Sequence, residues 1–155
     1  MTTELSVALM SGGHWSAVGL TLLVVALTVG LQYEVLERLN YSMPRWSAIP
    51  SRLRLLGMML LLLVMHVVEI WICGVALFVA MQFPAMGVIN GVSEPMLLDC
   101  VYLAATTYST LGYGDLVPQG PVRLLLGTEA LLGLLMITWS ASFTFLEMQR
   151  FWRPR

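Results

Sequence analysis

The stretch Thr106-Thr107-Tyr108-Ser109-Thr110-Leu111-Gly112-Tyr113-Gly114-Asp115 determines how the rest of the chain must be arranged. It continues from an apolar run, residues 96–108, whereas a helix needs about 20 residues to cross a bilayer. A run this short is typical of a re-entrant helix. Because irregular backbone at membrane depth is tolerated only beside protein or a water-filled cavity, we expect the residues after it to line such a cavity.

The residues before the short run predict where its helix begins. Ser93 has the side chain of a helix cap, Glu94 suits the positive end of a helix dipole, and Pro95 is favoured in a first turn. Pro84 is expected to end the preceding apolar stretch, and residues 87–91, with two glycines and an asparagine, predict a loop. The short helix is therefore predicted to start near Ser93.

Composition places the chain in a membrane. Of its 155 residues, 58% are hydrophobic and 11% are charged, whereas soluble domains are about a quarter charged and about half apolar. The net charge of −1 gives no reason to expect nucleic acid as a partner. Cys73 and Cys100 both lie among apolar residues, so we interpret them as small core residues, with a redox or metal role as the alternative.

Three apolar stretches predict bilayer-spanning helices, at residues 16–31, 53–83 and 122–145. Residues 1–15 lack the basic region of a signal peptide, and no small-residue cleavage site follows the first stretch, so we expect the first span to be retained. This span contains no arginine, which excludes the charge ladder of a voltage sensor.

Arginine is distributed unequally between the two sides of these spans. Seven of the eight arginines lie in the stretch from Tyr33 to Arg54 or after span three, and the positive-inside rule makes that side cytoplasmic. The N-terminus is then outside and the C-terminus inside. Residues 44–49, which are mixed basic and aromatic, predict either a short helix on the inner membrane surface or an ordinary polar connection. The seven are Arg38, Arg45, Arg52, Arg54, Arg150, Arg153 and Arg155, and the eighth is Arg123.

The backbone after the short helix is suited to binding a dehydrated cation. A pore that passes K+ must replace the ion's water shell with oxygens, and consecutive carbonyls can do so when they point to one axis. Gly112 and Gly114 permit the backbone conformations that this needs because they lack a Cβ. Thr110 can add a hydroxyl oxygen, while Leu111 and Tyr113 are expected to point away from the axis and pack behind it.

These residues resemble the pore of the potassium channel family, a two-span module with a re-entrant pore helix and a filter loop. The resemblance covers residues 93–139, about a third of the chain, and Leu111 stands where the family commonly has Val. Pro118 lies where a proline often follows the filter. The residues that fall on the filter motif itself are Thr110, Gly112, Tyr113, Gly114 and Asp115.

The resemblance implies an all-α integral membrane fold with three transmembrane helices, the pore helix and filter lying between the second and the third. Four filters are needed to ring an ion, so it implies a homotetramer. It divides the chain into an external tail at 1–15, a first transmembrane helix with a cytoplasmic connection at 16–52, a pore module at 53–147 and a short cytoplasmic tail at 148–155. A small prokaryotic-type subunit of the inner (cell) membrane is expected.

The resemblance also implies roles for individual residues. K+ is expected at the carbonyls of Thr110, Leu111, Gly112 and Tyr113, with the Thr110 hydroxyl. Gly133 is the expected hinge of the pore-lining helix. The residues expected to support the filter are Gly114, Asp115, Thr106 and Thr107.

Two departures from the family put the bracing of the filter in question. Tyr102 and Leu103 replace a pair of tryptophans that is common in relatives, and Thr106 stands where some relatives have a carboxylate. The ion-facing backbone is therefore expected to be of the usual kind, whereas the side chains behind it are not.

Three ionisable residues fall at membrane depth, where charge is costly and usually functional: His66, Glu69 and Glu129. His66 and Glu69 are three residues apart and share a helix face, and Glu129 is expected at a similar depth to Glu69. The cluster they predict is a structural network, a pH sensor that uses the histidine, or a zinc site with nitrogen and oxygen ligands.

The function predicted from these observations is passive, potassium-selective conduction through a tetramer, with K+ as permeant ion and the bilayer and other copies of the chain as partners. The alternatives are a non-selective monovalent cation channel and a non-conducting membrane protein that binds a partner. We expect no enzymatic activity, because the sequence has no catalytic triad, phosphate loop or nucleotide fingerprint. No cofactor and no soluble ligand-binding domain are expected.

Overall fold

A computed structural model describes residues 12–42 and 50–152, so the expectations for residues 1–11, 44–49 and 153–155 lie outside the described residues. The chain forms helices α1 (Gly12–Ser42), α2 (Ser51–Met81), α3 (Leu97–Tyr108) and α4 (Arg123–Trp152). Helices α1, α2 and α4 are long and apolar enough to cross a membrane, which confirms three candidate spans and an integral membrane protein.

The first helix extends well beyond the predicted span. It begins at Gly12 and continues past Leu31 to Ser42. Its 31 residues give a length of about 46 Å, whereas the hydrocarbon core of a bilayer is about 30 Å thick. Its C-terminal turns are polar and carry an exposed ion pair between Arg38 and Glu34 at 3.1 Å, one helical turn apart, which stabilises the helix by about 0.3–0.5 kcal/mol.

The predicted start of the short helix is wrong by one turn. Helix α3 begins at Leu97, and Ser93 makes no capping hydrogen bond to it. Instead, the N–H of Met96 donates to the carboxylate of Asp99 at 2.8 Å. An acidic side chain three residues into a helix can reach back to the N–H of the capping residue in this way.

A two-stranded antiparallel ribbon replaces part of the loop predicted after the second span. Strands β1 (Val88–Asn90) and β2 (Val117–Gln119) pair with Ile89 opposite Pro118. Gly87 beside the ribbon has φ of 115°, and a Cβ there would overlap the carbonyl of Gln119. The ribbon joins the two ends of the segment that contains α3 and the residues after it, so both ends of that segment are fixed.

Helix α3 is seated between α2 and α4 at two glycines. A Cβ on Gly74 of α2 would lie 2.7 Å from the Cα of Val101, and a Cβ on Gly133 of α4 would overlap the carbonyl of Tyr108. Both glycines therefore allow a span to approach the short helix closely. Cys73 and Cys100 are free thiols in the apolar core at this contact, as expected.

Helix α1 packs against both α2 and α4 of its own chain. The fully buried Gln32 donates its side-chain N–H to the hydroxyl of Ser140 at 2.9 Å. Nearer the C-terminal end of α4, Arg150 donates to Glu147 at 2.5 Å and to Asn40 of α1 at 3.4 Å. Polar contacts therefore tie the first span to the last one.

Candidate functional site

The residues after α3 alternate in backbone handedness. Thr110, Gly112 and Gly114 have φ of 58°, 53° and 80°, each in the left-handed region. The sequence predicted this freedom for the two glycines. It did not predict it for Thr110, whose β-branched side chain makes a positive φ a strained conformation, at a cost of about 1–2 kcal/mol.

The end of α3 holds this backbone through one carbonyl. The N–H groups of Leu111 and Gly112 both donate to the carbonyl oxygen of Thr106, at 2.9 and 3.0 Å, and the N–H of Thr110 donates to Thr107 at 2.9 Å. Within the described part of the chain, the carbonyl oxygens of residues 110–113 accept no backbone hydrogen bond. The N–H groups of residues 110–112 are thus satisfied by carbonyls of α3. The carbonyl oxygens of residues 110–113 are left available for another partner.

Thr106 and Thr107 act on the loop through their backbones. The Thr106 hydroxyl is occupied within α3, where it donates to the carbonyl of Leu103 at 3.0 Å. Thr106 and Thr107 lie in the last turn of α3, so the carbonyls that hold the loop are at the negative end of the helix dipole. That end would favour a cation nearby.

Residues 109–115 are all exposed in the single chain. The side chain of Leu111 is 56% exposed, although the sequence predicted that it would pack behind the carbonyls. Tyr113 is 68% exposed and contacts the ring of Tyr102, with centroids 6.5 Å apart and planes 6° from parallel. Neither side chain is therefore buried within its own chain.

Tyr102 braces the loop from α3. Its hydroxyl donates to the carboxylate of Asp115 at 2.9 Å, and this hydrogen bond raises the pKa of Tyr102. The sequence left the bracing in question because a tyrosine stands where relatives have a tryptophan. In the structure the phenol makes a hydrogen bond to the acid that ends the loop, so a brace is present with a different side chain.

The intramembrane polar residues meet only in part. Glu69 of α2 is fully buried, and its Oε2 accepts a hydrogen bond from the Tyr108 hydroxyl at 2.5 Å. The Nδ1 of His66 lies 3.0 Å from the same oxygen and 2.8 Å from the Tyr108 hydroxyl. Tyr108 was not predicted as a member, because only the register of α3 against α2 brings its side chain to the acid.

Glu129 makes none of the hydrogen bonds that join His66, Glu69 and Tyr108, so its place in the predicted cluster stays a prediction. It is buried in α4, where its neighbour is the thiol of Cys73. In the same part of the chain, no three His, Cys, Asp or Glu side chains are grouped as metal ligands would be. The geometry therefore disagrees with the zinc interpretation.

Gly133 lies within an unbroken helix. Its lack of a side chain is explained by the carbonyl and ring of Tyr108, which occupy the space that a Cβ would need. Close packing thus accounts for this glycine, and its role as a hinge stays a prediction.

Residues 65–150 match a family model described as "Ion channel". The match covers more than half of the chain and includes most of α2, all of α3, the following loop and nearly all of α4. No curated protein and no solved structure matches the chain.

Proposed function

The chain belongs to the ion channel family, and from this premise we propose that it is a subunit of a potassium-selective channel that conducts K+ passively. The ion sites are the carbonyls of Thr110, Leu111, Gly112 and Tyr113, with the hydroxyl of Thr110. The observation that carries the proposal is the left-handed backbone at residues 110, 112 and 114. Between them, the N–H groups of Leu111 and Gly112 donate to the carbonyl oxygen of Thr106. This arrangement leaves a row of carbonyls for a dehydrated cation.

A homotetramer follows from this assignment. One chain supplies one filter, and four are needed to surround an ion. The exposed side chains of Leu111 and Tyr113 support the same conclusion, because a neighbouring subunit would cover them. Gly114 and Asp115 support the filter at its far end, and the family suggests transport rather than enzymatic catalysis.

The proposed orientation places the filter at the outer side of a prokaryotic inner membrane, with the N-terminus outside and the C-terminus in the cytoplasm. Arg52 and Arg54 lie at the start of α2, and Arg150 lies near the end of α4. Since α2 runs away from these arginines towards the ribbon and α4 returns from it, the basic ends share one side, which the positive-inside rule makes cytoplasmic.

Ion selectivity is tested with the purified protein in liposomes. We expect uptake of rubidium, a potassium substitute, to exceed uptake of sodium by more than about tenfold, which corresponds to about 1.4 kcal/mol of discrimination. Equal uptake of the two ions would instead support a non-selective cation channel. Absence of uptake at several pH values would support a non-conducting, partner-binding protein.

Replacing Tyr102 with phenylalanine should weaken the brace without removing its ring. The variant keeps the contact with Tyr113 and loses the hydrogen bond to Asp115. Because this hydrogen bond is exposed in the single chain, its loss should have a moderate effect, and we expect sustained rubidium uptake to fall by roughly twofold or more. Asp115→Asn retains an acceptor for the phenol, so its rubidium uptake should be closer to that of the parent protein. Unchanged uptake in Tyr102→Phe would contradict the proposal that this hydrogen bond braces the loop.

A further inference from the structure

Tyr108 connects the second span to the end of the pore helix. It is the last residue of α3, its side chain is buried, and its hydroxyl contacts both Glu69 and His66 of α2. We propose that Tyr108 is a positioning residue for the filter, acting as a strut that fixes the last turn of α3 and thereby holds Thr110 in its left-handed conformation. This inference rests on the proposed function of the filter.

One assignment of protons gives Oε2 of Glu69 two possible donors, while Oε1 is buried without a hydrogen-bond partner among the described residues. The Tyr108 hydroxyl donates to Glu69, and an Nδ1–H on His66 lies within reach of both the carboxylate and the phenol oxygen. A carboxylate in the membrane interior needs such donors, because leaving it unpaired is costly. If the phenol is removed, Glu69 retains only His66, and α3 loses its polar contact with α2.

Tyr108 is held from the other side by α4. Its ring packs with Leu132 and Met136, and its carbonyl touches the position of Gly133. The residue is therefore fixed by its hydroxyl on α2 and by its ring and backbone on α4. Removing the hydroxyl alone releases the first of these contacts and keeps the second.

Movement of this turn would be transmitted directly to the filter. The carbonyls of Thr106 and Thr107, which hold the N–H groups of residues 110–112, are in the same turn as Tyr108. A strained conformation such as that of Thr110 persists only where its surroundings over-determine it. Loss of the strut should therefore relax Thr110 first and impair the ion site formed by its carbonyl and hydroxyl.

The test compares the rubidium-to-sodium uptake ratio in liposomes, measured on intact tetramers. We expect Tyr108→Phe to assemble normally and to lower this ratio by about tenfold, since a hydrogen bond to a charged group is lost. Tyr33→Phe, which removes an exposed phenol from α1, is the matched control and should retain the parent ratio. The ratio is the informative quantity because a residue needed only for stability would change protein yield and not selectivity.

Two variants of Glu69 extend the test to the partner side chain. Glu69→Gln keeps an oxygen that can accept a hydrogen bond from the phenol, whereas Glu69→Leu does not. The rubidium-to-sodium uptake ratio of the glutamine variant should therefore lie between those of the parent and the leucine variant. An unchanged ratio in Tyr108→Phe, or equal ratios in the two Glu69 variants, would contradict the proposal that Tyr108 positions the filter. A parent protein that takes up both ions equally would contradict the proposed function itself, which separates the two failures.

Discussion

Gly112→Ala is expected to abolish rubidium uptake while the protein still assembles. Gly112 has φ of 53°, and no atom lies within 4 Å of the position that a Cβ would occupy. Within the chain, the effect therefore comes from the backbone. A left-handed conformation costs an L-residue about 1–2 kcal/mol, and the proposed tetramer would contain the substitution four times, for a total of about 4–8 kcal/mol. Relaxation to a negative φ would rotate the preceding peptide and turn the Leu111 carbonyl away from the ion.

The control for this variant is Gly57→Ala in α2. Gly57 also has open space around it, but its conformation is helical, so alanine should be tolerated and is expected to stabilise the helix by about 0.5–1 kcal/mol. Uptake by the Gly57→Ala protein should match that of the parent. Parent-like uptake by Gly112→Ala would show that the left-handed backbone is not required for conduction.

Gly133→Ala is expected to destabilise the protein. The added Cβ would overlap the Tyr108 carbonyl, which is backbone and cannot rotate away as a flexible side chain could. Forcing extra volume into a close-packed contact costs about 1–3 kcal/mol, here once in each subunit. We expect a lower midpoint of thermal unfolding for the purified protein, together with a displaced α3.

Gly127→Ala is the matched control, six residues earlier in the same helix and with open space at its Cβ. It should leave the midpoint unchanged or raise it slightly. The comparison also separates packing from bending at Gly133. A hinge predicts altered channel opening with parent stability, whereas close packing predicts lost stability, and equal midpoints for the two alanine variants would contradict the packing explanation.

The elements that depend on chain length and apolar content could be predicted from the sequence. The three spans and the short helix were predicted in this way, because the bilayer thickness sets how long an apolar helix must be to cross it. The positive φ at Gly112 and Gly114 was also expected, since few residues other than glycine adopt it readily. These features are local, and a single sequence carries the information for them.

The contacts between distant segments could not be predicted in the same way. Tyr108 meets Glu69 only because α3 lies against α2 in one register, and the ribbon pairs Ile89 with Pro118 across α3 and the loop that follows it. The left-handed Thr110 is likewise imposed by hydrogen bonds to α3 rather than by its own preference. Ser93 was chosen as a cap by its residue type, whereas Asp99 was better placed to reach the first free N–H.

The hydrogen bond between Gln32 and Ser140 joins segments that are synthesised at different times, which affects how the chain inserts into the membrane. Helix α1 leaves the ribosome first, and Ser140 follows Gln32 by 108 residues. Until α4 enters the bilayer, the amide lacks the acceptor it has in the finished protein, and an unsatisfied polar group in hydrocarbon costs several kcal/mol. We therefore expect α1 to reach its final depth and rotation only after α4 has been inserted.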